Sequence, residues 1–258
     1  LLPFCGARGY ELLAHLDVDV LRTFRLSWQY SPLSARKRLE YLRAFFRFCQ
    51  DSGWVDRNPA TAVKASKADQ NPTLPFTEEE VERILTAARA LAGFGQYGPK
   101  IEAMVYLLQY SGLRMQDAAC LERARLIDDK LFLYQQKTGT PVYCPLPPFV
   151  VTRLVAVPNE NAQFFFYDGK SQRESMVKSW DRVFQKVFST ADPIIKGGHP
   201  HRFRDTSAVS LLLKGVSIDI VSKLLGHSSI KITERHYSPW VKARQDQLET
   251  EVRRIWTS

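Results

Sequence analysis

Between His199 and Tyr237 the chain reads HPHRFRDTSAVSLLLKGVSIDIVSKLLGHSSIKITERHY. His201 and Arg204 stand three apart at what reads as a helix start, Gly226-His227 follows a second apolar-periodic run, and Tyr237 closes a third. Proton-transfer groups, a fixed cation and a phenol together suit metal-free chemistry on a phosphodiester. In-line attack at phosphorus spreads negative charge over the non-bridging oxygens, so catalysis is mostly positioning and stabilisation by preorganised donors. Arginine suits that work because its planar fork stays charged and grips two oxygens at once. A site without metal therefore needs at least two such cations. Arg114, in GLRMQD, is the second candidate, and Asp117 three residues on is spaced to orient its guanidinium on one helix face. Lys137, in QQKTG between two strand-like runs, is a third cation.

Arg114 in GLRMQD, Lys137 in QQKTG, His201 and Arg204 in HRFR, Gly226-His227 in LLGH and Tyr237 in RHY follow one another in an order that resembles the tyrosine recombinases, the phage-type integrases, over nearly the whole chain. The resemblance implies that Tyr237 is the nucleophile and forms a 3′-phosphotyrosyl link. Arg114 and Arg204 then clamp the phosphate, with Asp117 in support. His201 is the expected proton acceptor for the phenol, Lys137 the general acid for the departing 5′ oxygen, and His227 a hydrogen-bond donor to a phosphate oxygen. A phenol with a pKa near 10 attacks poorly at neutral pH unless its proton has an acceptor and cations stabilise the phenolate. The covalent intermediate splits one hard step into two and keeps the energy of the broken bond, so no ATP, nucleotide cofactor or metal is implied. One departure stands out: the family often has a histidine after the second arginine, and here that residue is Asp205. Without the resemblance the same residues read more blandly, Tyr237 as a packed aromatic, Lys137 as a solvated turn residue and His227 as a helix-end cap.

The fold class expected is mainly α. An N-terminal helical core-binding (SAM-like) DNA-binding domain should occupy 1–68, a linker 69–75, and an α-rich catalytic domain with a small antiparallel β-sheet and a C-terminal tail helix 76–258. Asp17 is placed to cap a helix from Val18 to about Trp28. In SPLSARKRLEYLRAFFRFCQDSGW, Ser34 is the expected N-cap, Leu39, Leu42, Phe46 and Cys49 form one apolar face, and Gly53 is the stop. Arg36, Arg43 and Arg47 stack on another face, which by itself is a solvated surface and by resemblance a DNA-binding one. The resemblance also implies that the two domains close around duplex DNA as a C-shaped clamp. The chain begins without methionine inside an apolar run, and in the resembled family a complete helix would usually precede Gly6, so a truncated start is expected. Thr77 and Glu80 form a capping-box signature. Gly93, Gly95, Gly98 and Pro99 should break the chain before a helix over 101–110. A hairpin is expected from 130–135 and 140–146, and a further short strand from 164–167.

At 258 residues the chain can bury one large or two ordinary cores, and its formal charge of +9 suggests a polyanionic partner. Residues 1–72 and the remainder are both basic, +4 and +5. Cys5, Cys49, Cys120 and Cys144 show no metal-ligand or redox spacing and read as free thiols of a reducing compartment. No apolar run approaches a membrane span, so no membrane partner is implied and a cytoplasmic, nucleoid-associated protein is expected. The histidines could suggest a metal site, yet the nearby carboxylates, Asp205, Asp219 and Glu234, are too few for two-metal phosphoryl transfer. Expected partners are double-stranded DNA with paired half-sites, a homotetramer on synapsed DNA that is monomeric or weakly associated when free, and accessory DNA-bending proteins. The tail, with Val241, Leu248, Val252 and Ile255 near one helical face, either packs on its own domain or, by resemblance, docks on a neighbouring protomer. Two other functions fit parts of the chain. A type IB-like topoisomerase shares the chemistry, and a non-catalytic helix-turn-helix regulator would account for SIDIVSKLLGHSSIKIT alone.

Overall fold

The computed structural model describes residues 1–65, 74–91 and 97–256, and the chain divides into two compact units, Leu1–Asn71 and Pro72–Ser258. In the first unit a short α1 (Leu2–Gly6) precedes α2 (Val18–Leu26) and the long α3 (Pro32–Asp51). Asp17 caps α2 as expected, its carboxylate accepting the backbone N–H groups of Asp19 and Val20. The cap of α3 is Ser31 rather than Ser34. Pro32 occupies the first helical position, where its fixed φ and missing N–H cost nothing, so the helix starts one turn earlier and Ser34 donates its N–H to the Ser31 hydroxyl. Leu39, Leu42, Phe46 and Cys49 are all buried, and Leu21, Ala60 and Val63 pack with the first three in a core separate from that of the second unit. Gly53 ends the helix at φ +71°, the left-handed conformation that favours glycine.

Arg43 departs from its expected place in a DNA-facing stripe. Its guanidinium donates to the carbonyls of Ala60 (3.2 Å) and Val63 (2.8 Å), tying α3 to the turn that follows it, whereas Arg36 and Arg47 are exposed. The reason is register: Arg43 follows Leu42 at the edge of the buried face, where orphan carbonyls are nearer than solvent.

Most of the expected linker, residues 69–73, lies outside the described residues, as do Gly93 and Gly95. Leu74 and Pro75 belong to the second unit, because their carbonyls accept from the Arg202 guanidinium. The Thr77–Glu80 capping box opens α4 (Glu78–Ala90). Next comes α5 (Tyr97–Ser111), which starts ahead of the expected Ile101. Gly98 and Pro99 sit in its first turn, where an absent N–H is tolerated, so they open the helix instead of interrupting the chain. A five-residue α6 (Met115–Ala119) leads to the sheet, β1 (Leu126–Ile127), β2 (Lys130–Tyr134) and β3 (Pro141–Pro145), antiparallel in that order. Leu131 pairs with Cys144 and Leu133 with Val142, and all four are buried, as the period of two requires.

Helices α7 (Pro148–Val155), α8 (Arg173–Thr190), α9 (His201–Leu213), α10 (Ile218–Leu224) and α11 (Ile230–Trp256) complete the unit. Phe164 to Tyr167, expected as a strand, makes only a single bridge, Glu122 to Phe164. All four aromatics are buried, so this is a core plug with no neighbouring strand to extend the ladder. The main core joins Phe76, Ile84, Met104, Phe184 and Phe203, which places α9 against α4, α5 and α8. The expected tail helix is continuous with the helix that carries Tyr237, and the side chains of Leu248, Val252 and Ile255 lie outside the described residues. Among the described residues no helix is long and apolar enough to cross a membrane, and no group of three His, Cys, Asp or Glu is placed to hold a metal. The four cysteines are buried free thiols.

Candidate active site

Helix α9 is the rail of the site. His201 opens it, Arg202 anchors its first turn, and Arg204 and Asp205 follow on its buried side. The Arg202 anchor combines the Leu74 and Pro75 carbonyls with a 2.9 Å ion pair to Glu80, the same carboxylate that closes the α4 capping box. Its guanidinium also lies 4.0 Å from the centroid of the Phe76 ring, a desolvated cation–π contact. The α9 N-terminus is thereby fixed to the start of the unit.

Arg204 is 2% exposed and its fork is divided between two carbonyls, Gly112 (2.7 Å) and Leu225 (2.6 Å). Burial first, and then the charge of Arg114, push its pKa down to about 10 against the opposing pull of Tyr237, Asp117 and Asp205; it is still a cation at neutral pH. Arg114, the residue that precedes α6, donates to the side-chain carbonyl of Gln135. Gln135 is buried, accepts from the Thr138 hydroxyl at 3.0 Å, and donates through Nε2 to the Leu225 carbonyl at 2.7 Å. One amide side chain therefore links the first arginine, the β2–β3 turn and the carbonyl that also holds the second arginine. Sequence reasoning passed over Gln135. The available signal was a polar residue at an inward position, in register with Leu131 and Leu133.

The turn after α10 passes through Gly226 at φ +62°, and a Cβ there would stand 2.6 Å from Gln135 Nε2 and 2.7 Å from a Val142 methyl. Close approach and a left-handed backbone together leave only glycine. His227 follows, its backbone N–H on the Ser222 carbonyl and its Nδ1 2.8 Å from the hydroxyl of fully buried Thr233. Burial first, then Arg204, Arg114 and the neighbouring histidines, push the His227 pKa down to about 4. The ring is thus neutral at pH 7. His201 is held below its ordinary range as well, by desolvation first and by Arg204, His199 and Arg114, with Asp205 opposing.

Tyr237 is 4% exposed, packed with Ala208, Val209, Leu212, Val221 and Leu225. Its hydroxyl donates to Asp205 Oδ1 at 2.7 Å, not to His201 as the sequence led us to expect. Desolvation, then the charge of Asp205 and this hydrogen bond, raise the phenol well above its usual range, while Arg204 pulls the other way. Asp117 also differs from expectation. Its Oδ1 accepts the backbone N–H of Gln136 at 2.9 Å and so supports the hairpin turn; it makes no bond to Arg114, because Arg114 precedes α6 and its side chain runs to Gln135. Burial raises the Asp117 carboxyl, opposed by that hydrogen bond and by both arginines. Lys137 is exposed on the turn between β2 and β3. The turn itself is pinned, Gln135 N–H to the Thr140 carbonyl and Gly139 N–H to the Gln135 carbonyl.

Two cations, two neutral imidazoles and a phenol thus surround the Leu225–His227 turn, with a lysine on an adjoining hairpin, a set of groups whose chemistry suits phosphoryl transfer. A sequence model of the phage integrase family matches residues 75–242, and the chain belongs to that family. The tyrosine recombinase XerC of Oceanobacillus iheyensis is 24% identical over 247 residues, covering 90% of this chain and 79% of the relative. In fold, the chain is similar to the XerH recombinase bound to palindromic difH in a post-cleavage complex, with TM-score 0.70, 14% identity and coverage of 95% and 74%. It is also similar to a lambda integrase tetramer bound to a Holliday junction, with TM-score 0.68, 18% identity and coverage of 91% and 69%. The chain is a site-specific DNA recombinase, an enzyme of DNA strand exchange, and the topoisomerase-like and non-catalytic regulator readings are not favoured.

Proposed function

We propose that this recombinase cuts and rejoins duplex DNA one strand at a time, through a 3′-phosphotyrosyl link at Tyr237, without metal or ATP. The observation that carries this reading is the shared Leu225 carbonyl, which holds Arg204 directly and Arg114 through Gln135, beside the turn that leads to His227. The Gly112 and Leu225 carbonyls hold the Arg204 guanidinium and the Gln135 side-chain carbonyl holds that of Arg114, so a phosphate meets preorganised cations instead of paying to order them. His201 and His227, both uncharged at neutral pH, donate N–H groups to non-bridging oxygens. Tyr237 attacks phosphorus, the bond to the 5′ oxygen breaks, and Lys137 supplies that oxygen with a proton. A 5′ hydroxyl from the partner strand then reverses the sequence, and the energy of the original phosphodiester is conserved throughout.

Double-stranded DNA with paired half-sites is the substrate in this reading. Four protomers act on two sites in this reading, which the lambda integrase tetramer bound to a Holliday junction supports by its similar fold. Arg36 and Arg47 reach the DNA backbone from the first unit, accessory proteins bend the DNA, and the reaction takes place in the cytoplasm at the nucleoid.

The test uses a nicked suicide duplex whose sequence is enriched from a randomised pool by binding to the Tyr237→Phe protein. Incubated in EDTA with wild-type protein and run on a denaturing gel, it should give a protein-linked DNA band that the Tyr237→Phe variant lacks. A duplex bound equally by both proteins and never linked to either would sink the mechanism. The same mixtures run under native conditions read the number of protomers per synapse.

A further inference from the structure

The proton of Tyr237 has a destination in the fold. We propose that Asp205 is the general base of strand cleavage and the acid of rejoining, an inference that rests on Tyr237 being the nucleophile. Asp205 Oδ1 accepts the Tyr237 hydroxyl at 2.7 Å, within the range a base needs to take a proton in one step. Both residues are closed off from solvent, at 7% and 4% exposure, so bulk water does not compete for the proton. Asp205 also directly follows Arg204 on α9. The cation that would hold the phosphate and the carboxylate that would take the proton are thus adjacent residues on one rigid helix turn.

A buried carboxylate is ordinarily paired with a cation, because desolvating it alone is expensive. Asp205 makes no ion pair among the described residues, and its Oδ2 has no hydrogen-bond partner there. Its polar contact is the phenol. Burying a carboxylate with no ion pair and a single hydroxyl partner costs stability although the Arg204 charge lies nearby, and a proton-transfer role accounts for it. The raised phenol fits the same picture, since Tyr237 stays protonated until phosphorus bonds to its oxygen and attack and deprotonation proceed together.

In the forward step the bond from Tyr237 Oη to phosphorus forms, the bond from phosphorus to the 5′ oxygen breaks, and the phenolic proton passes to Asp205. On rejoining, the protonated carboxyl returns it to the departing Oη. Asp205 faces Tyr237 from α11, Arg204 and His201 on its own helix, and His199 just before it, each of which feels its charge.

The experiment measures single-turnover cleavage of the enriched suicide duplex, in ordinary form and with sulfur replacing the scissile 5′ oxygen, because a thiolate leaves without a proton. Asp205→Asn keeps a hydrogen-bond partner for the phenol but cannot take its proton, and should cleave both substrates about 100-fold or more slowly. Lys137→Ala should be slow on oxygen and recover on sulfur. The wild-type rate should fall on the acid side, in a limb that His201→Gln retains and Asp205→Asn lacks. Should Asp205→Asn fold poorly, Asp205→Ala supplies the test through rescue by added formate, which restores a carboxylate without restoring packing. Cleavage by Asp205→Asn at or above the wild-type rate would mean that the contact is a restraining latch and would overturn the proposal. So would loss of the acid limb in His201→Gln alone, or no rescue by formate in a folded, DNA-binding Asp205→Ala. If wild-type protein links to no DNA at all, the Tyr237 reading itself fails, an outcome separate from these.

Discussion

His227 shows how charge is managed at the level of single residues. A half-buried histidine, desolvated and then surrounded by Arg204, Arg114, His236 and His201, is costly to protonate, and its pKa of about 4 keeps it a neutral donor at physiological pH. The unfolded chain, with its histidines near 6.5, takes up protons first as pH falls. Stability associated with the neutral ring is therefore complete above about pH 6.5 and is lost as pH drops toward 4. One pKa unit is worth about 1.4 kcal/mol, so up to about 2 kcal/mol should be gone by pH 5, less whatever partial solvent contact screens. Urea midpoints at pH 7.5 and 5.0 check this, and His227→Gln should flatten the difference.

At the level of elements, the site is made where the turn end of the β2–β3 hairpin, the connection between α5 and α6, the N-terminal half of α9, the turn between α10 and α11, and α11 itself meet. At Gly226 the turn and the hairpin come into close contact. Gly226→Ala places a methyl group against Gln135 and Val142 in a left-handed backbone, so either the hairpin or the turn must move. A stability loss of about 1–3 kcal/mol is expected from the backbone strain alone. Cleavage should fall further than stability does, because displacing Gln135 releases Arg114 and the Leu225 carbonyl together. Thermal melts and single-turnover rates on the same preparation separate the two effects.

For the whole molecule, the relevant quantity is the distribution of a +9 net charge over two units that are each basic. Binding to DNA should weaken linearly with the logarithm of salt concentration, with a slope set by the number of phosphates neutralised. Arg36→Ala and Arg47→Ala should each reduce that slope by about one without changing the melting temperature. Arg43→Ala should behave oppositely, lowering the melting temperature of the first unit, because its guanidinium serves the Ala60 and Val63 carbonyls. Titrations at several salt concentrations beside melting curves distinguish these three arginines, which look equivalent along the helix.

Local patterns were legible in the amino-acid order. Asp17 and the Thr77–Glu80 pair cap the helices expected of them, alternation places Leu131 and Leu133 inward, and the order of the short motifs from GLRMQD to RHY pointed to the family whose model matches residues 75–242. Each of those signals lies within a few residues of chain or in a fixed order of short motifs, where periodicity and capping chemistry operate. Who bonds to whom across the site was not legible. Gln135 meets the Leu225 carbonyl from 90 residues away, and Tyr237 meets Asp205 from 32 residues away. Spacing pointed Asp117 at Arg114, yet α6 is only five residues long and Arg114 stands outside it, so the periodicity had too little helix to act on. Short-range backbone preferences determine the elements. The partners of buried polar groups are decided only when packing excludes water and each donor must take whichever acceptor the fold brings near.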